Sequence, residues 1–176
     1  SEAGDFTNES RILYSKFFPE REVVELRETT RETLESLRRG RAAFAITYED
    51  NTDDFLTSEP LLEEPMYAFV NASSQLAGYD ELSMEQLRSL TLISQRQDYT
   101  VAQIMRRFYT HSSTMPGRVY YVGDPESMTM QVYNDVGITF IPESVVHFWG
   151  KSDFPMAPGT RMIPMSNKIC QRKLFL

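Results

Sequence analysis

Residues 25–46 read ELRETTRETLESLRRGRAAFAI, and the way this stretch folds decides the fold class. Val23, Val24 and Leu26 form a short apolar run that reads as the end of a strand. Thr29 or Thr30 then offers a hydroxyl to cap a helix by accepting an orphan backbone N–H. Glu32 falls in the first turn, where the helix dipole favours an acid. Leu34 and Leu37 share one face, while Glu35, Arg38 and Arg39 point to solvent. Gly40 sits where a helix is expected to end in the left-handed region. Ala42–Ile46 is apolar on both faces, the pattern of a covered parallel strand. The stretch therefore reads as strand, helix, strand: one βαβ unit, right-handed by the usual rule.

The pattern extends in both directions. Ser10–Phe18 carries Ile12, Leu13 and Phe17 before Pro19 and reads as an amphipathic helix. A strand is expected ahead of it, but the chain begins too soon, so a fragment of a longer protein is expected. Downstream, Thr91–Ser94, Arg118–Val122 and Gly137–Ile141 read as strands, with helices at Thr100–Tyr109 and Pro125–Tyr133. Asp124 followed by Pro125 is a strong helix start. Met84–Leu90 reads as a short helix capped by Ser83. Pro60 and Pro65 argue that the intervening LTSEPLLEEPMYAFVN is a bent or edge strand. Two further extended pieces, RMIPMS and RKLFL, close the chain. The expected fold class is α/β, with two Rossmann-like lobes joined by two crossing strands. The first lobe takes 1–66 and 162–176, the second 67–161, and a cleft lies between them.

Composition narrows the function. The formal net charge of −7 argues against this chain itself gripping nucleic acid, which needs clustered Lys and Arg. Cys170 is the only cysteine, so no internal disulfide and no cysteine-based zinc site forms, and a reducing, cytoplasmic setting is expected. His111 and His147 are far apart without ligand spacing, and no metal is expected. No apolar run reaches the roughly 20 residues of a membrane span. The opening SEAGDFTNES lacks the basic-then-apolar order of a signal peptide.

Catalytic motifs are missing: there is no G-x-S-x-G elbow, no Walker loop and no G-x-G-x-x-G. Asp53–Asp54 and Glu63–Glu64 are neighbours that point to opposite faces on a strand, and read as solvated charge rather than an acid–base dyad. The basic tail KICQRKLFL reads as a solvated face. No catalytic residue and no cofactor is expected. Helices starting near Thr29, Thr100 and Asp124, each just after a strand, instead suit ligand binding. Strand carboxyl ends gather ligands in open α/β sheets, and helix N-termini there suit a carboxylate.

Three stretches carry a resemblance: VVELRETTRETLESLRRGRAAFAI, then SEPLLEEPMYAFVNASSQLAGYDELSMEQLRSLTLIS, then VYNDVGITFIPESVV. In their order and spacing they resemble the effector-binding domain of bacterial LysR-type transcriptional regulators, from about Val23 to Val146. The resemblance implies a periplasmic-binding-protein-like fold and a small-molecule effector. It also implies a homodimer, within a tetramer for some full-length forms, and DNA contact only through an N-terminal winged helix-turn-helix that this chain lacks. SQLA (Ser74–Ala77) stands where the family usually has HPLA, and Thr29-Thr30-Arg31 where it usually has Gly-Ser-Thr. By transfer, the effector cleft is lined by Ser1, Thr29, Thr30, Ser94, Gln95, Arg96, Asp124, Phe140, Ile141 and Pro142. A free-standing solute-binding protein of the same fold is the alternative, and an enzyme using two acids in the cleft a third reading. The effector itself, its charge, and whether it activates or represses are not legible.

Overall fold

The computed structural model describes residues 16, 19–22, 24, 26, 28–95, 100–145 and 159–176. Apart from Lys16, the expected helix Ser10–Phe18 lies outside them, as do Val23, Ser1, Arg96 and His147.

Helix α1, Thr30–Arg38, forms as its sequence dictates. Thr29 is the N-cap, and its hydroxyl accepts the Glu32 N–H at 3.4 Å. The Glu32 carboxylate returns to the Thr29 N–H at 2.9 Å and to its hydroxyl at 2.7 Å. This reciprocal box satisfies two donors that a helix start leaves open. Arg39 closes the helix and Gly40 follows at φ 67°, a conformation that costs glycine no Cβ clash. Ser36 is fully buried, with its hydroxyl against the Glu28 carboxylate at 2.7 Å and the Arg41 guanidinium at 2.9 Å.

The strand expected at Ala42–Ile46 does not form. Among the described residues this segment joins a ladder only through the bridge of Thr47 to Phe175, and Ala43 and Phe44 are exposed. An apolar run satisfies the pattern of a covered parallel strand, but a strand also needs a partner along its edge and layers over both faces.

The crossing segment corrects the proline argument. Strand β1, Pro60–Asn71, runs unbroken for 12 residues. Its first half pairs antiparallel with β6, Gln171–Phe175, from Leu62↔Leu174 to Pro65↔Gln171, with an irregularity between Pro60 and Leu62. Its second half is central: β4, Thr139–Pro142, and β5, Thr160–Pro164, both pair with it antiparallel. Pro65 is tolerated for a geometric reason. The Met66 N–H turns toward the Cys170 carbonyl at 2.8 Å. One residue earlier the backbone faces the opposite edge, so the N–H that Pro65 lacks is missing where β4 has not yet joined.

Strands β2, Thr91–Gln95, and β3, Arg118–Val122, pair in parallel. The parallel bridge Leu92↔Ile138 ties them to β4, with the Ile93 N–H on the Ile138 carbonyl at 2.7 Å. Gly137 permits that approach, since a Cβ there would lie 2.3 Å from the Thr91 carbonyl oxygen. Alternation along β1 then builds two cores. Met66, Ala68 and Val70 join Leu92, Ile138, Phe140 and Ile163 beneath helix α2, Thr100–His111, which adds Ile104, Met105, Phe108 and Tyr109. Phe69 joins Ile93, Val122 and Ile141 beneath helix α3, Pro125–Tyr133, which adds Met128 and Val132. A sheet covered on both faces by helices is the α/β arrangement expected from the sequence.

Met84–Leu90 is a series of turns rather than the expected helix, with i+3 bonds such as Leu87 N–H to the Met84 carbonyl at 3.2 Å. Ser83 and Gln86 still make a capping pair. Ser89 adopts φ 64° and sends its N–H to the Met115 carbonyl at 3.0 Å, which turns the chain before a helix can propagate. No described helix is long and apolar enough to cross a membrane.

Candidate functional site

Strands β2, β3 and β4 run in one direction. Their carboxyl ends therefore bring Ser94 and Gln95, Gly123 and Asp124, and Ile141 and Pro142 to one edge of the sheet. That edge is where an open α/β sheet gathers ligands. Six of the ten expected cleft residues thus converge from separate parts of the sequence, counting Phe140 on the same strand. Thr29 and Thr30 stand on another element, at the start of α1, and Ser1 and Arg96 lie outside the described residues.

The side chains divide by what already occupies them. Ser94 is buried and Gln95 half-buried at the end of β2. Asp124 is the N-cap of α3, accepting the Ser127 N–H at 2.7 Å and the Ser127 hydroxyl at 2.8 Å. These bonds, the backbone one foremost, hold its carboxyl below the ordinary aspartate range. The Thr29 hydroxyl is likewise taken up by its capping box. Phe140 is fully buried and meets Phe108 edge-on at 5.4 Å and Tyr109 at 6.2 Å. Ile141 lies in the second core. Of the Phe140–Pro142 stretch, the backbone and Pro142 lie nearest the edge.

Sequence reasoning missed one cluster beside this edge. Glu64 and Arg172 face each other across β1 and β6, and both are at least 96% buried, at 4% and 2% exposure. The Arg172 Nε donates to Glu64 Oε1 at 2.5 Å. Glu64 Oε2 accepts the Ser144 N–H at 2.7 Å, and Oε1 the Ser144 hydroxyl at 3.2 Å. Arg172 Nη2 donates to the Ser144 Oγ at 3.1 Å. Tyr48 lays its ring 5.8 Å from the guanidinium, within cation–π range. The reading of Glu63–Glu64 and of the tail as solvated charge is thus half right. Glu63 is exposed and pairs with Lys173 at 3.2 Å, while Glu64 and Arg172 are interior. Alternation along the strand was the available signal: two adjacent acids on a half-buried strand cannot both face water. Next to Ser144, the Tyr67 hydroxyl donates to Glu143 at 3.2 Å. Burial first, then that carboxylate, raises the Tyr67 pKa.

A second concavity lies between α2 and β6, lined by Tyr48, Glu49, Arg107, Phe108, His111 and Lys173 among others. Arg107 pairs there with Glu49 at 3.5 Å, and Lys173 pairs with Glu63 outside it. Among the described residues, no group of three or more His, Cys, Asp or Glu side chains could hold a metal ion. Burial pushes the Cys170 thiol up to about 12, which leaves it an inert core residue.

The model of the LysR substrate binding domain matches residues 16–153. Among proteins with curated descriptions, none matches the chain in sequence. Solved structures share the fold at low identity. OxyR of Corynebacterium glutamicum, as a C206 mutant, superposes with a TM-score of 0.84 at 17% identity, covering 98% of this chain and 53% of that one. The CcmR regulatory domain of Synechocystis, in complex with 2-PG, gives 0.79 at 13% identity, covering 99% and 82%. The BenM effector-binding domain, with its effector benzoate, gives 0.78 at 15%, covering 93% and 72%. The chain belongs to the LysR substrate-binding domain family, the effector-binding regulatory part of LysR-type transcriptional regulators, whose ligands are small molecules.

Proposed function

We propose that this chain senses a small organic acid in a cleft between two lobes, 1–66 with 162–176 and 67–161, without transforming it. Ser94, Gln95 and the Pro142 backbone form one wall, and Thr29 and Thr30 the other; Arg96 and Ser1 join this lining by the family resemblance alone. Asp124 shapes the α3 end of the site as its cap, and Phe140 and Ile141 stiffen the wall from behind. The observation that carries the reading is the convergence of three parallel strand ends at Gln95, Asp124 and Pro142. Two of the helical starts on this edge already hold a protein carboxylate, Asp124 on the Ser127 N–H and Glu64 on the Ser144 N–H. The start of α2 at Thr100 stands on the same edge, and a helix start there suits a ligand carboxylate. Benzoate in BenM and shikimate in QuiR are effectors or ligands of this chemical kind. In the cell the domain works in the cytoplasm as a homodimer, through the Ser10–Phe18 helix, and biases an attached DNA-binding segment. Light scattering that gives the mass of one chain at tens-of-micromolar concentration excludes the dimer.

The test is a ligand-observed screen of organic acids, amino acids and aromatic metabolites, followed by calorimetry on the hit. Thr30→Val is expected to weaken binding by about 1 kcal/mol, a neutral hydrogen bond, and Ser94→Ala by a similar amount. A hit whose affinity neither change alters binds elsewhere.

A further inference from the structure

We infer that the Glu64–Arg172–Ser144 cluster is a clasp that fixes how the two lobes sit relative to each other, and so a positioning device for the effector cleft. The inference rests on the two-lobe reading above. Three observations carry it. First, the cluster joins the two lobes: Glu64 on β1 and Arg172 on β6 belong to the first, and Ser144, on the chain leaving β4, to the second. A rotation of one lobe on the other has to stretch or break these bonds. Second, the bonding is three-way. The two Glu64 oxygens hold both the backbone and the hydroxyl of Ser144 as well as the Arg172 Nε, so Arg172 cannot move without displacing the turn that follows Pro142, a cleft-wall residue. Third, the cluster is incomplete. Among the described residues, Arg172 Nη1 is buried without a hydrogen-bond partner. A buried charge-bearing donor left unsatisfied is costly, and such a group marks a place where energy is stored. Nη1 is thus a donor that a rearranged joint would engage.

The test uses the whole chain with spin labels at Arg39→Cys, on the exposed end of α1, and Met130→Cys, on the exposed face of α3; both positions are exposed. Buried Cys170 stays unlabelled. The inter-label distance is measured in the parent and in Glu64→Leu combined with Arg172→Met. Replacing a buried ion pair with apolar side chains of similar volume leaves stability equal or higher, so the melting temperature is expected to hold. The parent is expected to give one narrow distance. The double variant is expected to give a second distance whose population rises about tenfold into the range of a detectable minor state. Arg172→Lys, which keeps the charge and loses the fork to Ser144, is expected to show the same second distance and serves where the double variant does not fold. A single unchanged distance in either folded variant, or a broad distribution already in the parent, overturns the clasp. The organic-acid screen on the parent separates this outcome from failure of the effector reading: no binding sinks the site, whereas binding with unchanged distances sinks the clasp alone.

Discussion

The two halves of β1 are held by different forces. From Met66 to Val70 the strand is central, flanked by β4 and β5, and four of those five side chains are buried and apolar. From Leu62 to Pro65 it has one described neighbour, β6, and two of the four cross-strand pairs are charged: Glu63 with Lys173 and Glu64 with Arg172. Apolar burial is non-directional and survives small displacements. Charge-assisted hydrogen bonds are directional and have discrete alternatives. One strand thus passes from a part held mainly by apolar burial to a part held in addition by charged pairs, and the change falls at Pro65.

The largest effect is expected from breaking the rigid half. Phe140 sits opposite Ala68 on β1 and meets both Phe108 and Tyr109. Phe140→Ala is expected to cost about 3–5 kcal/mol, as lost burial plus a residual cavity. Urea unfolding measures it. A loss below about 1 kcal/mol would contradict a fully packed site and would return Phe140 to the list of cleft-facing side chains.

A smaller, pH-dependent effect is expected at Asp124. Its folded pKa is lowered from 3.8, first by the Ser127 N–H and then by the Ser127 hydroxyl. A depressed carboxylate contributes stability that is fully present above the unfolded pKa and is lost as pH falls through the folded one. Parent and Asp124→Asn stability curves are therefore expected to differ above pH 4 or so and to converge below it. Parallel curves across the acid range mean that the bond to Ser127 is not formed in solution. An effector that binds Asp124→Asn as well as the parent identifies Asp124 as a cap only.

Much of this was legible in residue patterns, and the misses share a cause. Thr29, Glu32 and Gly40, and likewise Asp124 and Pro125, announce their helices through local chemistry, and those helices form as read. The strand at Ala42–Ile46 and the helix at Met84–Leu90 fail because their fate depends on distant partners. The first has only the Thr47–Phe175 bridge, and the second is pulled into turns by Ser89 bonding to Met115. The strands expected at Thr91–Ser94 and Gly137–Ile141 form within a residue or two of those bounds, as Thr91–Gln95 and Thr139–Pro142. Glu64 and Arg172 stayed hidden because they lie 108 positions apart, and nothing local to either shows the other.

The smallest effect is expected at the exposed pair. Lys173 and Glu63 lie 3.2 Å apart, but their side chains are 57% and 50% exposed. They sit one position along each strand from Arg172 and Glu64, so backbone, register and sequence neighbourhood are shared and solvent is the main difference. Water screens the attraction, and holding two long side chains in one geometry costs entropy. Lys173→Met is therefore expected to change stability by less than about 0.5 kcal/mol. At high salt, where the screening length falls to about 3 Å, even that difference is expected to vanish. Chemical denaturation at low and high salt, run beside Arg172→Met, makes the comparison within one pair of strands. Loss of one partner from a buried pair is expected to cost about 3–5 kcal/mol, and salt is expected to leave that cost nearly unchanged. Equal losses for Lys173→Met and Arg172→Met would show that the two faces of β6 are solvated alike, and the charged half of β1 would lose its distinction between a surface ion pair and an interior one.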